Sequence, residues 1–305
     1  MPNMSQSIKT LRTSQKFQKR FSVAIRLVIA VILIIFAIFP VLWIVSASFD
    51  PSQSLATQTS LIPANPSLRN YQRLFGQDPD YKFGDLVFQK WVWNSVKVSG
   101  ISTILSLALT TMAAYAFSRM RFKGRVTMLK GILLIQVFPN LLALVAIYVL
   151  IFQFGEIIPA LGLNTHAGLI MVYLGGSMGM NIWLMKGFLD TIPRDIDESG
   201  MVDGASHFQI FYNLILPLLR PILVVIGILS FIGTYGDFIL ARILLNDVNQ
   251  YTLMVGLQIF TSGQFDQKLG VFAAGALIGA LPIMIIYLAL QDQIVGGLTQ
   301  GAVKG

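Results

Sequence analysis

Six apolar runs, each of about 20 residues or more, constrain this chain more than any other feature of its sequence. As a helix, such a run rises by about 30 Å, the thickness of a bilayer's hydrocarbon core. Inside that layer no water reaches the backbone, so each N–H and C=O must find its partner within the segment, which favours helices. The runs lie at about 27–46, 91–118, 131–152, 166–185, 222–240 and 270–290. They predict an all-α membrane protein of six transmembrane helices, with a permease body over 23–290. Residues are 55% hydrophobic and only 12% charged, about half the charge of a soluble domain. Pro40, Pro139 and Pro282 fall inside runs, where neighbouring helices can re-satisfy the freed backbone groups. The basic start followed by an apolar run resembles a signal peptide. The run is too long for one, however, and no clear small-residue cleavage site follows it before Pro51.

Charge sets the expected topology. Six spans place both termini on one side. Grouping residues 1–26, 119–130, 186–221 and 291–305 collects 15 of the 22 Lys and Arg but only 6 of the 14 Asp and Glu. Basic residues stay on the cytoplasmic side, so both termini are expected there, as tails over 1–22 and 291–305. The net charge of +8 is accounted for by topology and calls for no nucleic acid. The basic 119–130 loop reads first as an orientation signal, and lipid or partner binding is its second reading.

Catalysis finds little support. Cysteine is absent, and the two histidines, His166 and His207, stand 41 residues apart. That leaves no disulfide framework, no thiol nucleophile and no HExxH metal site. No G-x-x-x-x-G-K-[ST] loop cradles a nucleotide. The chain is therefore expected to bind no cofactor, and if ATP drives it, hydrolysis belongs to another polypeptide. Asn94, Lys97, Gln136, Asn140, Asn181 and Asp237 are the polar residues that stand out within the runs. Their first expected role is hydrogen bonding between helices, with substrate contact as the alternative. Trp91 and Trp93 suit an interfacial belt.

The longest stretch of mixed polarity is Thr191–Pro221. It predicts two short helices about a tight turn. Thr191 is the expected cap of the first, and Asp195, Asp197 and Glu198 sit near its positive end. Asp203-Gly204 breaks the run, and a second helix starts near Ala205 or Ser206 and meets Pro217 and Pro221. An amphipathic pair lying on the bilayer would explain Ile196, Phe208 and Phe211. It would not explain an acid-rich turn, which an anionic leaflet repels. A protein partner with a groove explains both.

The same residues carry a resemblance. Glu198-Ser199-Gly200-Met201-Val202-Asp203-Gly204-Ala205, then Phe208, Leu214, Leu216-Pro217 and Pro221, resemble the EAA motif of ABC-importer permeases. The tail through Val295-Gly296-Gly297-Leu298-Thr299 and Gly301-Ala302-Val303-Lys304-Gly305 is similar to that of MalG-type subunits of maltose and maltodextrin importers. Trp93–Val98, Ala114–Phe117 and Gly162–His166 extend the likeness, which covers most of the chain from about residue 85 onward. Two residues depart from the motif: Ser199 and Gly200 replace its alanines. Both are small, though Gly200 costs about 1 kcal/mol of helix propensity.

The resemblance implies a bacterial inner-membrane permease paired with a second, MalF-like permease, two ATP-binding subunits and an external sugar-binding protein. Residues 191–216 would be the cytoplasmic coupling helix-turn-helix between spans four and five, seated in an ATPase. There Glu198 would pair with a partner cation or act as a cap, Gly204 would set the turn, and Ala205 would allow close approach. Ser199, Gly200, Asp203, Phe208, Leu216 and Pro217 would complete the contact. Gly297, Leu298, Thr299, Gly301 and Lys304 would reach the interface between the ATPases. Thr261, Ser262, Gly263, Gln264 and Phe265 would probe the binding protein. The cargo implied is maltodextrin, with a galacto-oligosaccharide or raffinose-type sugar as the alternative. An ion-coupled carrier is the reading from a different class, and it would need membrane carboxylates.

Overall fold

The computed structural model describes the backbone of residues 4–52, 61–78, 87–262 and 268–302, and the side chains of 21–52, 61–78, 87–139, 141–262 and 268–293. All regular structure among the described residues is helical. The chain runs through α1 (Met4–Phe49), the short α2 (Arg69–Leu74) and α3 (Val87–Arg119). Next come α4 (Arg125–Val137), α5 (Asn140–Ile157), a 3-10 turn at Pro159–Leu161 and α6 (His166–Leu189). The mixed-polarity stretch forms α7 (Asp195–Val202) and α8 (His207–Leu218), and α9 (Arg220–Tyr235) leads away from it. Short helices α10 (Ile239–Leu244) and α11 (Leu253–Gln258) precede α12 (Leu269–Ala302).

Four segments are long and apolar enough to cross a membrane on their own: Phe21–Phe49, Val87–Arg119, His166–Leu189 and Leu269–Gln293. Two bent pairs qualify as well, α4 with α5 at 105° and α8 with α9 at 75°. The expected third span is thus broken rather than continuous. Pro139 lies at the break, where a proline lacks the N–H that a helix interior needs and clashes with the preceding turn. The expected fifth span also shortens. Its helix ends at Tyr235, so Asp237 stands beyond it. Residues 291–302, expected as a separate tail, continue α12. Pro40 and Pro282 are both accommodated inside helices.

α3 sits at the centre, packed along α6 and α9, while α1 lies along α12. The close approach of α3 follows from its composition. Ser95, Ser99, Ser102, Ser106 and Thr110 are all buried along its length, and small side chains let backbones come together in lipid. Ser106 meets Ser177 of α6 at 3.1 Å, and Asn181 donates to Ser230 of α9 at 3.1 Å. Outward faces carry the opposite chemistry: Leu33, Ile35 and Phe36 of α1 are all exposed. A helix apolar all round suits lipid and is costly in water.

At the start of α3, away from the 191–216 segment, residues 244–253 fold over the helix starts. Trp91 is fully buried there and donates to Val248 O at 2.8 Å. A Cβ on Gly256 would overlap its ring. Trp91 is therefore a core residue rather than part of an interfacial belt, whereas Trp93 is exposed as expected. Asn94 donates to Asn249 O and Tyr251 O, and Ser95 accepts from Leu253 N at 2.7 Å. Asn164, in the left-handed region at φ 60°, accepts from Asn246 N and Asp247 N. His166 Nε2 lies 2.8 Å from Gln250 O. These polar residues fasten a loop to two helix ends.

Candidate functional site: the helix-turn-helix between α6 and α9

α7 starts with Asp195, Asp197 and Glu198 in its first turn, where the free N–H groups of a helix favour negative charge. Thr191 is not its cap. The Thr191 hydroxyl donates to Phe188 O at 2.7 Å, and Arg194 precedes the helix without a side-chain cap. The far end closes as anticipated. Gly204 adopts φ +80°, Gly204 N donates to Met201 O, and Ala205 N donates to Gly200 O at 3.0 Å. This double closure is the Schellman arrangement, which needs a left-handed residue where glycine stands.

α8 then opens on a capping box. The Ser206 hydroxyl accepts from Gln209 N, while Gln209 Oε1 accepts from Ser206 N at 2.8 Å. This S-x-x-Q spacing was present in the sequence as a helix-start signal, and it fixes the start at His207. Ile210–Ile215 is wound as a π-helix, a form that appears mostly as single turns within α-helices and often at functional sites.

The two helices bury one face and expose the other. Gly200 is buried, and a Cβ there would come 3.0 Å from both Ile210 and Leu214. This close approach accounts for the glycine that departs from the motif. Ile210, Ile215 and Leu219 are fully buried with Ala114, Met185, Leu189 and Ile226, and Ile196, Ala205 and Phe211 pack against that cluster. Internal packing therefore explains Ile196 and Phe211 without a membrane surface. Phe208 remains 72% exposed and stacked on Tyr212, and on α7 Val202 and Met201 are 88% and 48% exposed. Glu198, Asp203, Gly204 and Pro217 are exposed too, and Leu216 is half-buried. Ser199 donates back to Ile196 O, and Glu198 has no side-chain partner among the described residues. The outer face combines apolar tips with unpaired acid.

Polar contacts hold the segment against α3 and α6. Arg119 Nε lies 3.0 Å from Asp197 Oδ2, with both side chains buried. Ser118 donates to Asp190 at 2.6 Å, and Lys186 pairs with the same carboxylate. Burial pushes the Asp190 carboxyl up, but the bonds from Lys186 and Ser118 and the nearby cations outweigh it and hold it below the ordinary carboxylate value. Sequence reading placed Asp197 only as a helix-start acid. Nothing local signalled that its partner would be Arg119, 78 positions earlier.

The remaining expected positions are reached only in part. Thr261 and Ser262 turn back on α11, donating to Gln258 O and Ile259 O. Gly263, Gln264 and Phe265 lie outside the described residues. Gly297, Leu298, Thr299 and Gly301 belong to α12, described in backbone alone, and Lys304 lies outside. Asp237 accepts from Tyr173 at 2.9 Å and from Ala241 N at 3.1 Å. It lines a mostly apolar cavity of about 550 Å³ with Gln136, Leu144, Ile151, Gly175 and Gly176. Among the described residues no cluster of three or more His, Asp or Glu could hold a metal ion.

The all-helical set of apolar spans, with a helix-turn-helix offered at one end, is the architecture of a membrane-embedded protein. Residues 106–299 match the family described as the inner membrane component of binding-protein-dependent transport systems. The chain belongs to that family. It is 48% identical over 273 residues to a maltose/maltodextrin transport system permease protein MalG of Vibrio vulnificus strain YJ016, covering 88% of this chain and 91% of the relative. The corresponding MalG of Escherichia coli K12 is 44% identical over 272 residues, covering 88% and 90%. A solved bacterial ABC transporter involved in import of the acidic polysaccharide alginate shares the fold, with a TM-score of 0.73 at 20% identity. That match covers 90% of this chain and 97% of the other.

Proposed function

We propose that this chain is the permease subunit of an ATP-driven, binding-protein-dependent importer of maltose and maltodextrin-type sugars in the bacterial inner membrane. The observation that carries the reading is the 44–48% identity to MalG permeases over 88% of the chain. Counting each bent pair as one span gives six, and the basic bias of 1–26, 119–130, 186–221 and 291–305 supports cytoplasmic termini. The permease body would span residues 23–290, with 1–22 and 291–305 as cytoplasmic extensions of its first and last helices.

A MalF-like permease would complete the pathway, two ATP-binding subunits would dock below it, and an external sugar-binding protein would dock above. This chain holds no cofactor of its own, and ATP with its magnesium belongs to the partners. In this reading the exposed face of Val202, Phe208, Glu198 and Asp203 seats in an ATPase groove. Closure of the ATPase pair moves α7 and α8, and the attached spans alternate their access. The ion-coupled alternative would rest on Asp237, which already accepts from Tyr173 and Ala241.

The test is purification of the solubilised chain with its co-purifying subunits, followed by uptake in proteoliposomes. ATP-dependent uptake of maltotriose in preference to raffinose is expected. Full uptake with no nucleotide-hydrolysing companion would overturn the proposal.

A further inference from the structure

The coupling segment is covalently continuous with two spans only, α6 before it and α9 after it. Its strongest polar ties nevertheless run to a third, α3, which ends more than 70 positions earlier. Arg119, the last residue of α3, sets Nε 3.0 Å from Asp197 Oδ2 of α7, and the two side chains are 8% and 7% exposed. Nη2 of the same guanidinium donates to Ile192 O at 2.9 Å. Ser118 donates to Asp190 at the end of α6, and its carbonyl accepts from Arg194 at 3.2 Å. One turn back, Tyr115 packs against Phe211 of α8, with ring centroids 4.9 Å apart and the rings tilted by 56°. A single turn of α3 thereby grips the end of α6, the entry to α7, α7 itself and α8.

Arg119 Nε and Asp197 Oδ2 face each other as an ion pair, and the Tyr115 hydroxyl reaches the same carboxylate. A buried ion pair contributes little net stability, because desolvation offsets the attraction, yet stranding either charge is severe. In some proteins such a pair is kept because it selects one arrangement of the elements it joins. An element through which motion passes needs that property.

We propose that the Arg119–Asp197 pair is a positioning latch that makes α3 follow the coupling helices, so that three spans rather than two respond to them. The inference rests on the permease reading above. The test compares Asp197→Asn and Arg119→Gln with the charge-swapped double variant R119D/D197R. Each is measured as the full transport complex and as the solubilised chain alone.

In the complex, the single variants should retain wild-type amounts of ATPase yet lose about tenfold in sugar uptake per ATP hydrolysed, the scale of a typical coupling energy. The swap should restore most of that loss. In the chain alone, hydrogen exchange of the 195–202 amides should quicken in the singles and recover in the swap. This second arm tests the latch even if no ATPase is found and the permease reading fails. Wild-type uptake per ATP in the single variants would overturn the latch. So would loss of ATPase assembly that the swap fails to recover, which would mark a purely structural pair.

Discussion

Gly204 is glycine for its backbone and not for want of space. Its φ of +80° charges any side chain a backbone penalty of about 1 kcal/mol, but a Cβ there meets nothing within 4 Å. Within this chain, Gly204→Ala and Gly204→Asp should therefore insert normally and lose little stability. In transport they should part company, with the alanine partly active and the aspartate inactive, because the new charge enters the docked face. Equal uptake by Gly204→Asp and wild type would mean that no partner seats there. Asp190 offers a pH test. Its folded carboxyl is held below the ordinary value, chiefly against the upward push of burial, by Lys186 and Ser118. The bond to Ser118 therefore contributes above the ordinary carboxylate range and is lost as pH falls through the depressed value. Ser118→Ala should narrow the gap in thermal stability between neutral and acidic pH, as read by melting in detergent.

The helices divide into those that the linear pattern specifies and those that contacts specify. α3 and α6 follow from long, predominantly apolar runs, and α7 follows from its acids and closing glycine. The break between α4 and α5 needed Pro139 to act as a stop, although Pro40 and Pro282 sit inside intact helices. A proline's effect depends on what surrounds the freed carbonyl, which no local pattern records. The exposed face of α7 and α8 belongs to this scale as well. Val202→Asp removes an 88% exposed side chain from an element whose buried face is untouched. The melting temperature should hardly move, consistent with the roughly 0.5 kcal/mol typical of surface changes, while co-purification of the ATPase falls. Retention of full ATPase would place the docking face elsewhere. Truncating Trp91, by contrast, should cost about 3–5 kcal/mol, as for other buried aromatics. Trp91→Ala should thus show a clear drop in melting temperature.

For the whole molecule, the absence of cysteine makes topology directly testable. A single cysteine at Val202 should react with an impermeant maleimide only from the cytoplasmic side, and one at Asn246 only from outside. Reversed labelling would invert the orientation and remove the coupling segment from any cytoplasmic ATPase. The apolar runs, the basic bias and the glycine-closed acidic helix were all legible in the amino-acid order, because each is a local property of spacing and charge. The position of α3 at the centre, the burial of Trp91 beneath Gly256 and the pairing of Arg119 with Asp197 were not. Those depend on which surfaces meet once the helices assemble, and a residue's partner dozens of positions away leaves no periodicity in its own segment. Sequence alone thus determined that the chain carries membrane-spanning apolar runs and a glycine-closed acidic helix between two of them. Only the tertiary structure decided which spans that helix holds, because buried charge and close packing are properties of the assembled helices.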